Sequence, residues 1–409
     1  MKRTSIFFIF FCFSLIKSQD LVEFSMGTGY QYDIYYSFEE GITAFPERVN
    51  WELAFSTDSS NNNIRINSGN GVTLFQVSES IEDWDQVTSM SSNSIQLRNS
   101  NLYWDIGAFV SNPNNDPLNN GWGTLTSSSP TIDGFDFEGS RIYIINYGTF
   151  SSPISKKIKI NNLINGIFDF TIANLDGSNE ETISIDTQSY LDKTFIYYSL
   201  LNNEIIDREP SNWDILFTKY EEDLDNNPTN PFYYLVTGAL TKGNSVAEYN
   251  GFLDFNPMFD ELNFSTEINT VGYDWKTYSG GYTIVSDRAY FIQSQDQQSL
   301  YKIIFQSFDG QQTGNMSFLV EDLNFNPIHL TDHDSVNFSI YPNPSKDSFK
   351  INFSDDDAFL KITDLNGRLI YQKMGPFNNT EINHLNNGHY IVTVITNDDI
   401  FAKQFIVNK

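Results

Sequence analysis

An internal repeat is the feature of this sequence that most restricts its fold. The segments Ile34–Phe38 and Trp51–Phe55 return later in the chain as Ile196–Leu200 and Trp213–Phe217. The spacing between the two segments is the same in both copies. A repeat of this length predicts two copies of one structural unit that are built in the same way.

The downstream parts of the two copies also match, and they indicate β-strands. Arg141–Ile145 resembles Arg288–Ile292, and Gly166–Phe170 resembles Gly314–Phe318. In most of these segments, successive side chains would point to opposite faces, which is the two-residue period of a β-strand. The first copy is longer, and its additional residues fall in Ser91–Ser129, where many Asn, Ser, Gly and Pro residues predict a loop.

The composition favours the same fold class. The chain contains 35 Phe and 22 Tyr residues, types that fit the half-buried surface of a sheet. We therefore predict an all-β protein with two tandem antiparallel β units at 19–178 and 179–323. A linker at 324–336 and a small C-terminal β-sandwich at 337–409 follow. One short helix is expected at Tyr220–Asp225.

The first residues have the layout of an export signal. Lys2 and Arg3 precede the apolar run Ile6–Ile16, which is too short to span a bilayer. We predict a signal peptide at 1–18 and no transmembrane span in the mature chain. The only cysteine, Cys12, lies in this signal, so the mature chain has no disulfide and no cysteine nucleophile.

The charge is strongly negative, at −28 for the whole chain. Such a surface repels phosphate backbones, so nucleic acid is not an expected partner. Solubility and weak binding of divalent cations are both compatible with this charge. The acidic run Glu221–Asp225 is a calcium candidate by composition, but its spacing fits no calcium loop, and a solvated loop is favoured. No metal site is predicted.

The C-terminal segment contains turn motifs between alternating apolar runs. Two prolines flank Asn343, which favours an extended segment followed by a turn. Asn366 and Gly367 lie between two alternating runs and predict a hairpin, because a type I′ turn requires two positive φ angles. The residues of these motifs are Tyr341, Pro342, Asn343, Pro344, Asp364, Asn366, Gly367, Arg368 and Gly388.

In this order the motifs resemble the type A C-terminal sorting domain of the type IX secretion system of Bacteroidetes. The resemblance covers 337–409. It implies passage through the periplasm, recognition by the type IX secretion machinery and transport across the outer membrane. It further implies removal of the domain upstream of Tyr341, followed by release of the protein or its attachment to surface lipopolysaccharide.

The region before the sorting domain, residues 19–323, is here called the cargo region. Trp51–Phe55 with Arg65–Gly71, and Val271–Tyr278 with Tyr301–Phe305, resemble the two halves of the HmuY family. That family is all-β and captures haem at the cell surface. The resemblance implies a secreted or cell-surface ligand-binding protein, with haem as a possible cofactor.

The haem ligands of that family are typically His or Met, and this sequence departs from the pattern. The cargo region contains no histidine, since the four histidines are His329, His333, His384 and His389. The remaining thioether candidates are Met26, Met90, Met258 and Met316. A core role is favoured for Met316, and no residue is assigned as a haem ligand.

Other functions stay open for the cargo region. A surface adhesion or polysaccharide-binding protein without haem is the main alternative, and Trp104 and Trp122 are candidates for stacking on sugars, although core or loop-anchoring roles are favoured. Catalysis is not expected, because without His or Cys a nucleophilic triad has no base. A glycosidase that uses paired carboxylates remains open.

Overall fold

In this computed structural model, the residues described are 19–58, 61–92, 94–110, 121–126, 135–225, 231–251, 262–295, 298–323, 338–346, 348–353, 359–364, 369–374, 380–383, 385–395 and 400–408. The chain divides into two compact units, Met1–Leu323 and Asn324–Lys409. The predicted signal peptide and linker lie outside the described residues. No α-helix occurs in the described ranges, and no helix there is long and apolar enough to cross a membrane.

The strands of the first unit pair antiparallel, which confirms the predicted all-β class. They are β1 (Asp20–Ser25), β2 (Ile34–Ser37), β3 (Gly41–Ala44), β4 (Leu53–Ser56), β5 (Ile64–Ile66), β6 (Thr73–Ser78), β7 (Ile95–Leu97), β8 (Gly123–Leu125), β9 (Phe137–Gly139), β10 (Ile142–Thr149), β11 (Ser152–Ile164), β12 (Ile167–Asn174), β13 (Glu181–Asp186), β14 (Phe195–Ser199), β15 (Glu204–Ile206), β16 (Ile215–Asp223), β17 (Tyr233–Thr241), β18 (Ser245–Asn250), β19 (Lys276–Tyr278), β20 (Tyr282–Ile284), β21 (Arg288–Gln293), β22 (Leu300–Phe308) and β23 (Asn315–Asp322). Short 3₁₀ turns lie at Ser68–Asn70, Ile81–Asp83, Gln188–Tyr190 and Gly310–Gln312.

Two sequence-based expectations about local structure need correction. The short helix predicted at Tyr220–Asp225 is wrong, because β16 runs to Asp223 and pairs along its whole length with β17. Tyr220 and Glu222 are both buried on one side of that strand, so tertiary packing fixes an alternating pattern. The predicted loop Ser91–Ser129 contains turns but also the short strands β7 and β8.

The first hydrophobic core lies between a six-strand path, β13-β12-β11-β10-β6-β7, and a four-stranded sheet, β15-β14-β4-β5. Leu53 and Phe55 of β4 pack there with Phe168 and Phe170 of β12. Ile196 of β14, which belongs to the second sequence copy, completes this core.

The second core has the same construction with the copies exchanged. It lies between β1-β23-β22-β21-β18 and β17-β16-β2-β3. Ile34 and Tyr36 of β2, from the first sequence copy, pack with Ile215 and Phe217 of β16. Each core is therefore closed by strands of the other copy.

Where a strand of one copy pairs with a strand of the other copy, equivalent residues lie opposite equivalent partners. Tyr35 lies opposite Leu216, and Tyr197 lies opposite Ala54. The strand β1 pairs with β23, just as β13 pairs with β12. The pairings of β1 with β23, β2 with β16, β13 with β12 and β14 with β4 cross the predicted division at 178/179, which stays a prediction.

The second unit is a small sandwich. Its strands are β24 (Ser339–Tyr341), β25 (Ser348–Asn352), β26 (Phe359–Asp364), β27 (Leu369–Met374), β28 (Thr380–Asn383), β29 (Gly388–Ile395) and β30 (Ile400–Val407). They form the sheets β24-β25-β28 and β27-β26-β29-β30. Phe349, Ile351, Ile362, Val392 and Phe405 fill the core.

Candidate functional site

The two four-stranded sheets of the first unit, β15-β14-β4-β5 and β17-β16-β2-β3, each have a second buried face. In β2 the side chains of Ile34 and Tyr36 point into the second core, so Tyr35 between them points to the opposite side. In β14 Tyr197 is likewise directed away from the first core. The two tyrosines meet, with their hydroxyl oxygens 3.3 Å apart. We call the zone between these two faces the seam.

The seam has a local pseudo-twofold relation between the copies. The ring of Tyr35 packs edge-on against Trp213 at a centroid distance of 5.3 Å, and the ring of Tyr197 packs edge-on against Trp51 at 4.9 Å. Burial, as the dominant effect, raises the pKa of both tyrosines above the ordinary range. Both hydroxyls therefore stay protonated at neutral pH.

Charge in the seam departs from this symmetry. Arg208 donates through Nη2 to Asp33 Oδ2 at 2.7 Å, and both side chains are almost fully buried. Asp33 Oδ1 accepts a second hydrogen bond, of 2.6 Å, from Thr218 Oγ1. Burial lowers the pKa of Arg208, but Asp33 and the tyrosines outweigh it, and the net direction is upward. Its guanidinium also lies over the rings of Trp51 and Tyr197.

A second arginine, Arg65 of β5, is buried, and within the described ranges its hydrogen bonds go to backbone carbonyls. Its Nη atoms donate to the backbone carbonyls of Ser100 at 2.7 Å and Tyr103 at 2.8 Å. Its guanidinium lies 5.0 Å from the ring centroid of Trp104. Burial lowers the pKa of Arg65 to about 10, so the charge persists at neutral pH.

A cavity of about 60 Å³ lies at the seam. Two buried donors in its wall, Arg208 Nε and Trp51 Nε1, have no hydrogen-bond partner in the described part of the chain. Lys219 also lines it, and burial followed by the charge of Arg48 lowers the pKa of Lys219. The lining includes Asp33, Trp51, Ala54, Arg65, Trp104, Phe195, Tyr197, Arg208, Thr218, Lys219 and Glu221.

Trp104 divides this cavity from a larger cleft of about 390 Å³, because Trp104 and Phe195 line both. Trp104 Nε1 donates to Thr241 O at 2.7 Å, which fixes the ring between the two copies. The polar residues of the cleft are Ser56, Thr57, Asp58, Asn61, Asn63, Asp105, Lys193 and Thr194. Of the two tryptophans considered for stacking, Trp104 lies at the site, whereas Trp122 is fully buried in the first core.

The candidate haem ligands lie away from these cavities. Met26 and Met316 are buried in the second core, and Met90 is about half exposed. Met258, His329, His333 and His384 lie outside the described residues. His389 is exposed on β29 of the second unit. None of the described Met or His residues lines the seam cavity or the adjoining cleft.

The acidic run of β16 is engaged in contacts within the protein. Glu221 pairs with Arg98. Glu222 accepts hydrogen bonds from Asn269 at 3.0 and 3.1 Å, and burial, as the largest effect, raises its pKa. Asp223 accepts from the backbone of Asp225. In the described ranges no group of three or more His, Cys, Asp or Glu side chains is arranged to hold a metal ion.

A further buried cation, Lys276, lies near the second core. Its ammonium donates to Thr237 O at 2.6 Å and Tyr273 O at 3.1 Å, and it lies 3.9 Å from the ring centroid of Trp275. Burial lowers its pKa to about 7. These contacts give Lys276 a structural role in the wall of that core.

In the second unit, Asn343 joins the first turn to the last strand. Its Nδ2 donates to Gln404 O at 3.0 Å, and its Oδ1 accepts from Ile406 N at 3.0 Å. The bonds preceding Pro342 and Pro344 are both cis. Tyr341 is exposed. Of the other predicted motif residues, Asp364 ends β26 and Gly388 begins β29, while Asn366, Gly367 and Arg368 lie outside the described residues.

The second unit is thus a small β-sandwich with a hydrophobic core of its own. Residues 339–408 match the family described as "Secretion system C-terminal sorting domain". The predicted type IX secretion sorting domain is therefore confirmed. The chain is sorted to the cell surface or secreted, and the type IX secretion machinery is its partner in export.

Structural comparison of the whole chain gives weak similarities. One is to PorZ, described as an essential bacterial surface component of the type-IX secretion system of Porphyromonas gingivalis, at 12% identity over 72% of this chain and 40% of that chain, with a TM-score of 0.17. Another is to a polysaccharide lyase, at 9% identity over 96% of this chain and 46% of that chain, with a TM-score of 0.15. This chain spans less than half of each protein, and these scores support no functional argument. No curated protein matches the sequence. The HmuY resemblance stays a prediction.

Sequence reasoning did not identify several charged residues of the seam, among them Asp33, Arg208 and Glu209. One signal was present, because the four residues of β2 and of β4 are buried on both faces. Ile-Tyr-Tyr-Ser and Leu-Ala-Phe-Ser lack the polar alternation of a strand with one solvated face. That pattern indicates a strand covered on two sides.

Proposed function

We propose that this protein is an exported binding protein that captures a ligand at the seam between its two sequence copies, and that it is not an enzyme. The observation that supports this most strongly is a pair of buried donors, Arg208 Nε and Trp51 Nε1, that belong to residues of the cavity wall and have no acceptor in the part of the chain that the structure describes. Buried donors without acceptors cost free energy, and a ligand that supplies acceptors removes that cost.

The composition of the walls also supports binding. Ligand sites in proteins combine aromatic surfaces with a few convergent polar groups. At the seam, Trp104 and Tyr197 supply aromatic surface, and the hydroxyls and amides of the adjoining cleft supply further hydrogen-bonding groups. This combination suits a hydroxylated ligand, such as a glycan, and therefore favours a polysaccharide-binding protein over a haem-binding protein.

Catalysis is less well supported. A glycosidase requires two carboxyl groups across the scissile bond, one of them a proton donor. The two carboxylates lining the seam cavity are both occupied, Asp33 by Arg208 and Thr218, and Glu221 by Arg98. Haem is disfavoured at this site, since a cavity of about 60 Å³ is small and its lining offers no His or Met ligand.

Binding of saccharides and haem to the full-length mature protein, measured by calorimetry and absorbance, tests this proposal. We expect saccharide binding that Trp104→Ala abolishes and that Phe150→Ala preserves. Phe150 is a matched aromatic control, because it is fully exposed on the turn between β10 and β11. Haem binding with a Soret shift, insensitive to Trp104→Ala, would contradict the proposal, as would turnover of a glycoside.

Ala54→Leu provides a second test that keeps the strand intact. Ala54 lines the cavity, and the equivalent residue of the second copy is Leu216, so this backbone environment accepts leucine. The larger side chain fills the cavity and should prevent binding while the circular dichroism spectrum stays unchanged. Undiminished binding by Ala54→Leu would place the ligand elsewhere.

A further inference from the structure

Two tryptophans of the seam have different surroundings in the two copies. Trp51 and Trp213 occupy equivalent positions in the repeat. Trp213 Nε1 donates to Glu209 Oε1 at 2.9 Å, and Glu209 is only 2% exposed. The equivalent acid of the first copy, Glu47, is exposed, and Trp51 Nε1 has no acceptor in the part of the chain that the structure describes. Because a buried N–H group without an acceptor costs free energy, a ligand gains most at Trp51.

A second buried donor belongs to a neighbour of Trp51. Arg208 is 6% exposed and donates through Nη2 to Asp33 Oδ2 at 2.7 Å, whereas its Nε has no acceptor among the described residues. Its Cζ lies 5.6 Å from the centroid of the Trp51 ring, and both residues line the seam cavity. These two N–H donors on neighbouring side chains favour a ligand that supplies an oxygen acceptor.

The charges of the seam indicate that this acceptor is neutral. Arg208 is paired with Asp33. Asp105 interacts with the charge of Arg65, the other guanidinium of the cavity wall, and Glu209 adds a further buried carboxylate to the seam. A ligand carboxylate would lie near these acids, and a ligand ammonium would lie near the two guanidinium groups. Because either would also lose its hydration on burial, a neutral acceptor is favoured.

The size and the walls of the cavity restrict the group that carries the acceptor. A volume of about 60 Å³ holds a group of a few heavy atoms. Besides the polar residues, the wall contains the apolar residues Ala54, Leu216 and Leu240. An acetamido group fits both features, because its carbonyl oxygen accepts hydrogen bonds and its methyl group packs against apolar atoms. A hydroxyl group would leave the apolar surface uncovered.

The adjoining cleft has room for the rest of such a ligand. Trp104 and Phe195 line both the seam cavity and the cleft of about 390 Å³, so a ring that packs on Trp104 in the cleft lies beside the cavity. The flat indole suits the apolar face of a sugar ring. Ser56, Thr57 and Asn61 also line the cleft, and their hydroxyl and amide groups suit the hydroxyls of a sugar.

We propose that the ligand is an N-acetylated amino sugar, with the carbonyl oxygen of its acetamido group bound by Arg208 and Trp51 in the seam cavity and its ring in the cleft against Trp104. This inference rests on the proposed function, because it assigns a ligand class to the same site. Binding requires no covalent or redox step.

Calorimetric titration of the full-length mature protein with matched ligands tests the assignment. The ligands are N-acetyl-D-glucosamine, N-butanoyl-D-glucosamine, D-glucosamine and D-glucose. We expect N-acetyl-D-glucosamine to bind roughly tenfold more tightly than D-glucose, in line with one additional buried hydrogen bond. The N-butanoyl compound should bind more weakly than the N-acetyl compound because its acyl chain exceeds the cavity, and D-glucosamine should lose the gain because its ammonium is charged. Affinity for N-acetyl-D-glucosamine should not fall as salt is raised.

Two tryptophan variants separate the hydrogen bond from the fold. Trp51→Phe removes the N–H group but keeps an aromatic ring beside Arg208, and it should largely remove the preference for N-acetyl-D-glucosamine over D-glucose. Trp84→Phe is the matched control, because Trp84 Nε1 donates to Glu180 Oε2 at 2.7 Å and Trp84 lines neither the cavity nor the cleft. It should keep the preference of the parent protein. Circular dichroism checks that both variants fold, and the N-butanoyl comparison tests the size of the cavity without any variant.

Each outcome decides a different claim. Equal affinity for N-acetyl-D-glucosamine and D-glucose, with loss of both in Ala54→Leu, would overturn the acetamido assignment and leave the seam as the binding site. Equal affinity for the N-butanoyl and N-acetyl compounds, or an unchanged preference in Trp51→Phe, would also overturn it. No binding of any of these saccharides, or binding unaffected by both Ala54→Leu and Trp104→Ala, would overturn the acetamido assignment and the proposed seam site together.

Discussion

The buried ion pair at the seam allows a quantitative prediction. Asp33 and Arg208 have side chains only 3% and 2% exposed, and their atoms Oδ2 and Nη2 are 2.7 Å apart. Asp33→Ala removes this carboxylate, which also accepts from Thr218, and it leaves the Arg208 charge buried without its ion-pair partner. Removing one partner of a buried pair costs about 3–5 kcal/mol. We expect a loss of this size in the free energy of unfolding.

The pair of Lys193 and Asp207, of which Asp207 is exposed, provides the control. Asp207 has a side chain 57% exposed, so Asp207→Ala should change the free energy of unfolding by only about 0–1 kcal/mol. Arg208→Met in the Asp33→Ala background removes the stranded charge and should restore a large part of the loss. The double-mutant cycle should therefore show a coupling above roughly 1 kcal/mol.

Urea unfolding followed by tryptophan fluorescence measures these differences. All six tryptophans lie before residue 323, so the signal reports on the first unit and not on the sorting domain. We expect that the two buried charges of the seam stabilise each other. A loss below about 1 kcal/mol for Asp33→Ala, or strictly additive effects in the double-mutant cycle, would refute this expectation.

Three further predictions concern other parts of the molecule. Burial lowers the pKa of Lys276 to about 7 in the folded state against 10.5 in the unfolded state, so the unfolded state binds more protons between these values and stability rises with pH. The free energy of unfolding, measured with urea, should increase by roughly 2 kcal/mol from pH 7 to pH 9, and Lys276→Met should largely remove this increase. The same dependence on pH in Lys276→Met as in the parent protein would refute the prediction. A fragment 19–178 lacks the strands that close its core and should not unfold cooperatively as a monomer, whereas 50–206 contains the first core and should; a stable monomeric 19–178, seen by circular dichroism and ultracentrifugation, contradicts the exchange. Deletion of 337–409 should leave the protein in the periplasm, as judged by fractionation, and continued surface display would argue against the sorting role.

Much of the fold was predictable from local sequence patterns. The alternating segments around Ile142 and Ile303 and the many aromatic residues indicated strands, because the two-residue period is set by the backbone itself. The helix expected at Tyr220–Asp225 was wrong because a strand partner, β17, outweighed a weak local preference. The turn motifs around Pro342 and Pro344 led to the sorting domain for a similar reason, since turn chemistry is local.

The candidate site was only partly predictable. Trp104 was noted as a candidate for stacking on sugars, but its separation from Trp122 required the packing, which places one ring at the seam and the other in the first core. Asp33 and Arg208 are 175 residues apart, and no local pattern connects them. Their pairing depends on the exchange of strands between the copies, which brings β2 beside β16.

The sequence by itself therefore determined the all-β class, the two copies and the C-terminal sorting domain, because each follows from short-range periodicity, repetition or turn chemistry. Only the tertiary structure decided that the copies close each other's cores and that two doubly buried sheets meet face to face. Burial there concentrates charged residues, among them Asp33 and Arg208, around one cavity. That concentration depends on distances between residues far apart in the chain, which composition and spacing do not specify.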